Sequence, residues 1–127
     1  MKNKALSIIL VLIIVAATPS CFHFDDHDIS ISVSDDEDEY EMDADYSRRQ
    51  THAVRVYLND HLLNGHVKLR RNDHIEREIT LDDKTTFYIN SEPGSLNIKI
   101  DKTENSSAQY QRIRQACEEL KEILAEN

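Results

Sequence analysis

The residues of this chain with the most chemical potential are two cysteines, Cys21 and Cys117, six histidines and a dense set of carboxylates. A cysteine beside a histidine can act as a thiolate nucleophile, and clustered His and Asp side chains can hold a metal. Runs of carboxylates can hold a hard cation such as calcium. Cys117 recurs at helical spacing between Ile113 and Leu120. That setting raises a thiol pKa and reads as core. His23, Asp25, Asp26, His27 and Asp28 form a cluster, in which His23 and His27 share a face only if the segment is helical. Nothing around them calls for a helix, and so polar a stretch reads as a tether with no metal assigned to it.

The run from Asp35 to Glu39 fails the calcium-loop pattern, because counting from Asp36 the sixth position is not glycine and the twelfth is not glutamate. It reads as a solvated, self-repelling loop with weak, salt-sensitive divalent binding at most. His61 falls on or near the apolar side of a helical pattern, where a partly buried histidine with a local hydrogen-bond partner is expected. His66 and His74 receive no role. The chain has no Gly-x-Ser-x-Gly elbow and no His-Glu-x-x-His helix. No catalytic residue, cofactor or metal ligand is assigned.

The first residues carry a different kind of information. Lys2 and Lys4 precede an apolar run from Ala5 to Ala17 in which Ser7 is the one polar residue, and Thr18-Pro19-Ser20-Cys21 follows. This is the order of parts in a secretory leader. As a helix the apolar run spans about 20 Å against roughly 30 Å of hydrocarbon, too short for a comfortable permanent span. Here the chain resembles bacterial lipoprotein precursors, with Ser20 as the small residue before the cysteine and a looser form of the motif at Thr18 and Pro19. The resemblance implies cleavage before Cys21, acylation of its thiol, and a membrane as partner through that lipid. It also implies the cell envelope as location, with Phe22 after the cysteine favouring the outer membrane. Asp25-Asp26-His27-Asp28 is weakly similar to an acidic surface-export signal. The alternative is an ordinary signal peptide with an incidental cysteine.

All 24 acidic residues lie beyond Cys21, where 13 basic residues oppose them, so the part after the leader carries −11 with His neutral. A surface of that sign repels phosphate, and no basic stripe interleaved with aromatics counters it, which argues against nucleic acid. With two glycines, two prolines and no tryptophan, the chain is neither a low-complexity nor a disulfide-dense protein.

The elements that position these groups follow from periodicity. Ile29, Ile31 and Val33 alternate with polar residues, as do Tyr40, Met42, Ala44 and Tyr46, which predicts a hairpin closed by the acidic run. Ser47-Arg48-Arg49-Gln50 has the form of a capping box, and a helix is expected over about 48–64, stopped at Asn64-Gly65. Val67 and Leu69, Ile79 and Leu81, Phe87 and Ile89, and Leu96, Ile98 and Ile100 form strand-length groups, and in the stretch 66–78 Ile75 and Ile79 also fit one turn of helix. Ser106 with Gln109 begins a second helix through Tyr110, Ile113, Cys117, Leu120 and Leu124, with Glu118, Glu119, Lys121 and Glu122 toward solvent. Arg-Arg-x-x-His occurs at both 48–52 and 70–74, a coincidence, since the two copies fall in different elements.

The expectation is a signal peptide over 1–20, a lipidated acidic tether over 21–28 and one α+β domain over 29–127. That domain is a mainly antiparallel sheet of about five short strands with two amphipathic helices on one face, in ββα-βββα order. The function expected is that of a membrane-anchored, non-enzymatic envelope lipoprotein acting through a protein partner. A divalent-cation or basic-ligand module using the acidic loops, and a hydrolase with a site not visible in sequence, are the alternatives.

Overall fold

The computed structural model describes residues 29–126. Cys21 and the His23–Asp28 cluster, and with them the leader and tether, lie outside the described residues. Within them the fold is the expected α+β arrangement. Strands β1 (Ser30–Asp35), β2 (Glu39–Asp45), β3 (Ile75–Thr80), β4 (Thr86–Glu92) and β5 (Ser95–Asp101) form one antiparallel sheet in the order β1-β2-β5-β4-β3. Helix α1 (Thr51–Tyr57) follows β2, and helix α2 (Ser107–Ala125) ends the chain. No described helix is long and apolar enough to cross a membrane.

Alternation decides which way each strand faces, because successive side chains leave opposite sides of the sheet. Tyr40, Met42 and Ala44 of β2, Leu96, Ile98 and Ile100 of β5, and Phe87 and Ile89 of β4 are all buried, and they join Val54, Ile113, Cys117, Leu120 and Leu124 in one core. Both helices therefore cover the same side. The register sets Met42 beside Ile98 and Ile98 beside Ile89, so the apolar rows run straight across the three central strands.

Both capping boxes form. The Ser106 hydroxyl accepts from the Gln109 backbone N–H at 3.1 Å while Gln109 Oε1 accepts from the Ser106 N–H at 2.7 Å. Ser47 and Gln50 make the same reciprocal pair, and buried Gln50 also donates through Nε2 to the Leu124 carbonyl at 3.1 Å. One glutamine thus caps the first helical segment and receives the end of the last.

The predicted helix over 48–64 is three kinds of helix in succession. A 3₁₀ turn (Arg48–Gln50) leads into α1, and α1 widens into a π-helical stretch (Leu58–Leu63) that stops at Asn64, whose φ is 43°. The apolar positions explain the widening: Val54, Leu58 and Leu62 are four apart, but Leu63 must also enter the core, and all four are fully buried. An i to i+5 repeat brings Leu63 under Leu58, which an ordinary α-turn does not.

Two expectations need correction. Val67 and Leu69 form no strand. Leu69 is buried from a loop because Asn59 takes the place of a neighbouring strand, accepting from its N–H at 2.8 Å and donating to its carbonyl at 3.0 Å. Asp35 and Glu39 belong to strands, so the hairpin loop is only 36–38. At the other hairpin, Gly94 has φ +85°, and a Cβ there would stand 3.1 Å from the Tyr46 carbonyl. The turn packs directly on the start of the first helical segment: the Gly94 carbonyl accepts from Tyr46 N–H and its own N–H donates to the Thr51 hydroxyl, both at 2.9 Å.

Candidate functional site

Every second residue of the strands faces away from the helices, and that side bears a pronounced charge. Register places Glu39, Glu41, Asp43 and Asp45 of β2 there, with Glu76 and Glu78 of β3, Glu92 of β4 and Asp101 of β5: eight carboxylates among Ser, Thr, Asn and Tyr. Lys99 is the one basic side chain that the described strands place among them. No described element covers this side, so the fold is a two-layer sandwich with its acidic layer in water.

The site has a centre. A shallow depression of about 230 Å³ is lined by Tyr88 and Lys99 and walled by Glu39, Glu78, Asp101 and Glu104. The Lys99 ammonium stands 5.3 Å from the centre of the Tyr88 ring, within cation–π range. The Tyr88 hydroxyl donates to Glu76 Oε2 at 2.8 Å, and that hydrogen bond to a carboxylate holds the phenol pKa above its usual value. Asn97 steers Glu41 in the same way, donating through Nδ2 to Oε2 at 2.7 Å. An aromatic ring ringed by carboxylates is suited to an ammonium or guanidinium, and Lys99 is the chain's own occupant.

The acidic run is arranged differently from a cation loop. Asp36 Oδ1 accepts from the backbone N–H groups of Glu39 and Asp38, each at 2.9 Å, which depresses its pKa and commits it to closing the turn. Lys102 donates to Asp35 Oδ1 and to the Asp36 carbonyl, both at 2.6 Å, and lies 4.4 Å from the centre of the Tyr110 ring. Tyr110 donates to the other Asp35 oxygen at 2.7 Å. One carboxylate of the run, Asp35, thus holds the hairpin tip to α2, while that of Asp36 closes the turn. Among the described residues, no group of three or more His, Cys, Asp or Glu converges as metal ligands.

Cys117 lies in the core at 0% exposure, and burial pushes its thiol pKa up to about 12. Its neighbour is Tyr40, whose buried hydroxyl makes no well-formed hydrogen bond and whose pKa burial also raises. His61 departs from expectation: it is exposed and stacks on Tyr57, with ring centres 4.9 Å apart. The π-helical widening turns it outward, onto a groove of about 450 Å³ between the first helical segment and α2. Tyr57 donates to Glu119 at 2.6 Å across that groove, so Glu119 is half-buried there and not in free solvent. His66 sits 3.2 Å from Asp82 and His74 3.3 Å from Asn90, each alone.

The acidic sheet face escaped the sequence reading, although its signal was present. In Glu39-Tyr-Glu-Met-Asp-Ala-Asp45 the same alternation that marks Tyr40, Met42 and Ala44 as core puts four carboxylates on the opposite side. No protein-family model, curated protein or solved structure matches the chain.

Proposed function

We propose that this protein is a membrane-anchored interaction module of the cell envelope, held by lipid on Cys21, which presents its acidic sheet face to a basic protein partner. The anchor is supported by the leader, its short apolar run and the small residue before Cys21. The partner's chemistry is supported by one observation, the eight carboxylates against Lys99 on a sheet face that no described element covers. Such a face steers a basic partner and repels an acidic one, and the effect weakens as salt rises. Carboxylates spread across four strands are arranged for a surface with many cationic side chains, more than for a single ion.

Mass spectrometry of the mature protein and crosslinking in intact cells test the two halves separately. A diacylated or triacylated Cys21 is expected, with a Cys21→Ala chain lost from the membrane fraction; an unmodified thiol at that position removes the anchor. Crosslinked partners are expected to be basic and to disappear with Asp43→Lys/Glu78→Lys. Partners that survive this charge reversal remove the acidic face from the account.

A further inference from the structure

The two edges of the sheet are not guarded alike. An edge strand offers a row of unpaired N–H and C=O groups, which proteins commonly blunt with lysine, proline, bulges or charge. β3 carries Glu76, Arg77 and Glu78 in succession, and Arg77 stands exposed on the row that faces the helices. β1 reads Ser-Ile-Ser-Val-Ser-Asp and has no lysine, arginine or proline. It pairs with β2 residue for residue from Ser30 opposite Asp45 to Asp35 opposite Tyr40, with no bulge to twist it away. Among the described residues no strand lies beyond it.

Its two rows of side chains differ in a way that selects a partner. On the helix side, Ile31 is half-buried and Val33 is 36% exposed, an apolar row continued outward from the core. On the open side stand Ser30, Ser32 and Ser34, opposite Asp45, Asp43 and Glu41 of β2. A strand added about 4.8 Å outside β1 lays one of its rows beside Ile31 and Val33. Its other row passes over the serines, where nothing longer than a hydroxymethyl group separates it from the β2 carboxylates. Aliphatic side chains fit the first row and lysine or arginine the second. A second copy of β1 brings serines to the charged row and sets two acidic faces side by side, so charge disfavours it.

We propose that the β1 edge takes up an extended segment of the basic partner as a sixth strand, about six residues long, with lysine or arginine alternating with aliphatic residues. This rests on the basic-partner reading above and adds the place and the backbone geometry of recognition. Main-chain pairing supplies affinity, and the alternate side chains supply specificity.

The test uses the full chain in mild detergent and a fluorescent six-residue peptide of alternating lysine and valine, followed by anisotropy at low salt. A second peptide, N-methylated at every other residue along each edge in turn, keeps the charges and cannot pair as a strand. Ser32→Lys guards the edge with a charge that Asp43, directly opposite, accommodates without loss of the fold. The parent peptide is expected to bind about tenfold or more tighter than the N-methylated forms, and to lose a similar factor with Ser32→Lys. Equal binding of parent and N-methylated peptides overturns the strand inference and leaves the acidic face standing. No binding of any of the peptides overturns both. A dimer abolished by Ser32→Lys, with no peptide bound, gives the edge to a second copy and overturns the proposal.

Discussion

The Arg55 guanidinium, 2% exposed, donates through Nη2 to the Ser91 hydroxyl at 3.2 Å and so ties α1 to β4 beside the loop that leads into β3. Its Nη1 donates to the carbonyls of Arg70 and Arg71. Among the described residues no carboxylate pairs with it in direct contact; burial lowers its pKa, with the more distant Asp73 acting in the opposite sense. The Arg55 Nε has no partner among the described residues, but a buried cation held by two main-chain oxygens and a hydroxyl is costly to disturb in either direction, since removal strands its acceptors and shortening strands the charge.

Replacing Arg55 by Ala is expected to cost about 2–4 kcal/mol of stability in urea unfolding. Arg55→Lys should recover only part of this, because an ammonium lacks the planar fork that reaches Ser91 and the loop carbonyls together. A loss below about 0.5 kcal/mol for the alanine variant contradicts the role given to the guanidinium.

Asn59 predicts a local effect. Among the described residues its side chain alone pairs with both backbone groups of Leu69, so Asn59→Ala should cost about 1–3 kcal/mol. Hydrogen exchange at the Leu69 amide should accelerate while the amides of β2 and β5 keep their protection relative to the new global stability. Unchanged exchange at Leu69 shows that the loop is held by other means.

Alkaline pH should unfold the protein in a defined window. Burial raises Cys117 from 9.0 to about 12 and Tyr46 from 10.0 to about 12, and it raises Tyr40 as well. A folded-state pKa above the unfolded one gives stability that is complete below the unfolded value and is lost as pH climbs toward the folded value. Tm is therefore expected to hold to about pH 9 and fall through pH 12, with tyrosinate absorbance from Tyr40 and Tyr46 appearing only on unfolding. Cys117→Ala should shift the onset up toward pH 10, where the tyrosines begin to contribute. Smooth titration of every tyrosine near its ordinary value in a folded chain contradicts this.

Lys99 is predicted to compete with the ligand. Removing its ammonium from above Tyr88 by Lys99→Ala takes away the one basic side chain that the described strands place on the acidic face, and binding of a lysine-rich peptide should tighten about two- to fivefold at low salt. Tyr88→Leu should cancel that gain. Salt titration serves as the control, since the difference between variants should shrink as ionic strength rises. Weaker binding by Lys99→Ala means that the ammonium helps the ligand and does not stand in for it.

Much of the fold was legible because it is written in short-range patterns. Alternation at Tyr40, Met42 and Ala44 and at Leu96, Ile98 and Ile100 marks strands whose one face is apolar. Three- and four-residue steps from Tyr110 to Leu124 mark α2, and Ser-x-x-Gln before each helical segment marks its start. These depend only on the backbone repeat and the nearest few residues. The outward side of β2 could be read from the same alternation, but its sum with β3, β4 and β5 could not, since strand order is absent from any single strand.

What the sequence determined by itself was an acidic α+β chain with these strands and helices and with Cys117 in its core. Tertiary structure alone decided that the carboxylates of four strands share one uncovered face, that His61 turns outward, and that Leu69 is buried without a strand. The physical reason is the range of the interactions. Hydrophobic periodicity is a property of neighbours, whereas the charge of a face, the widening that admits Leu63 and the reach of Asn59 to Leu69 depend on which distant segments are packed together.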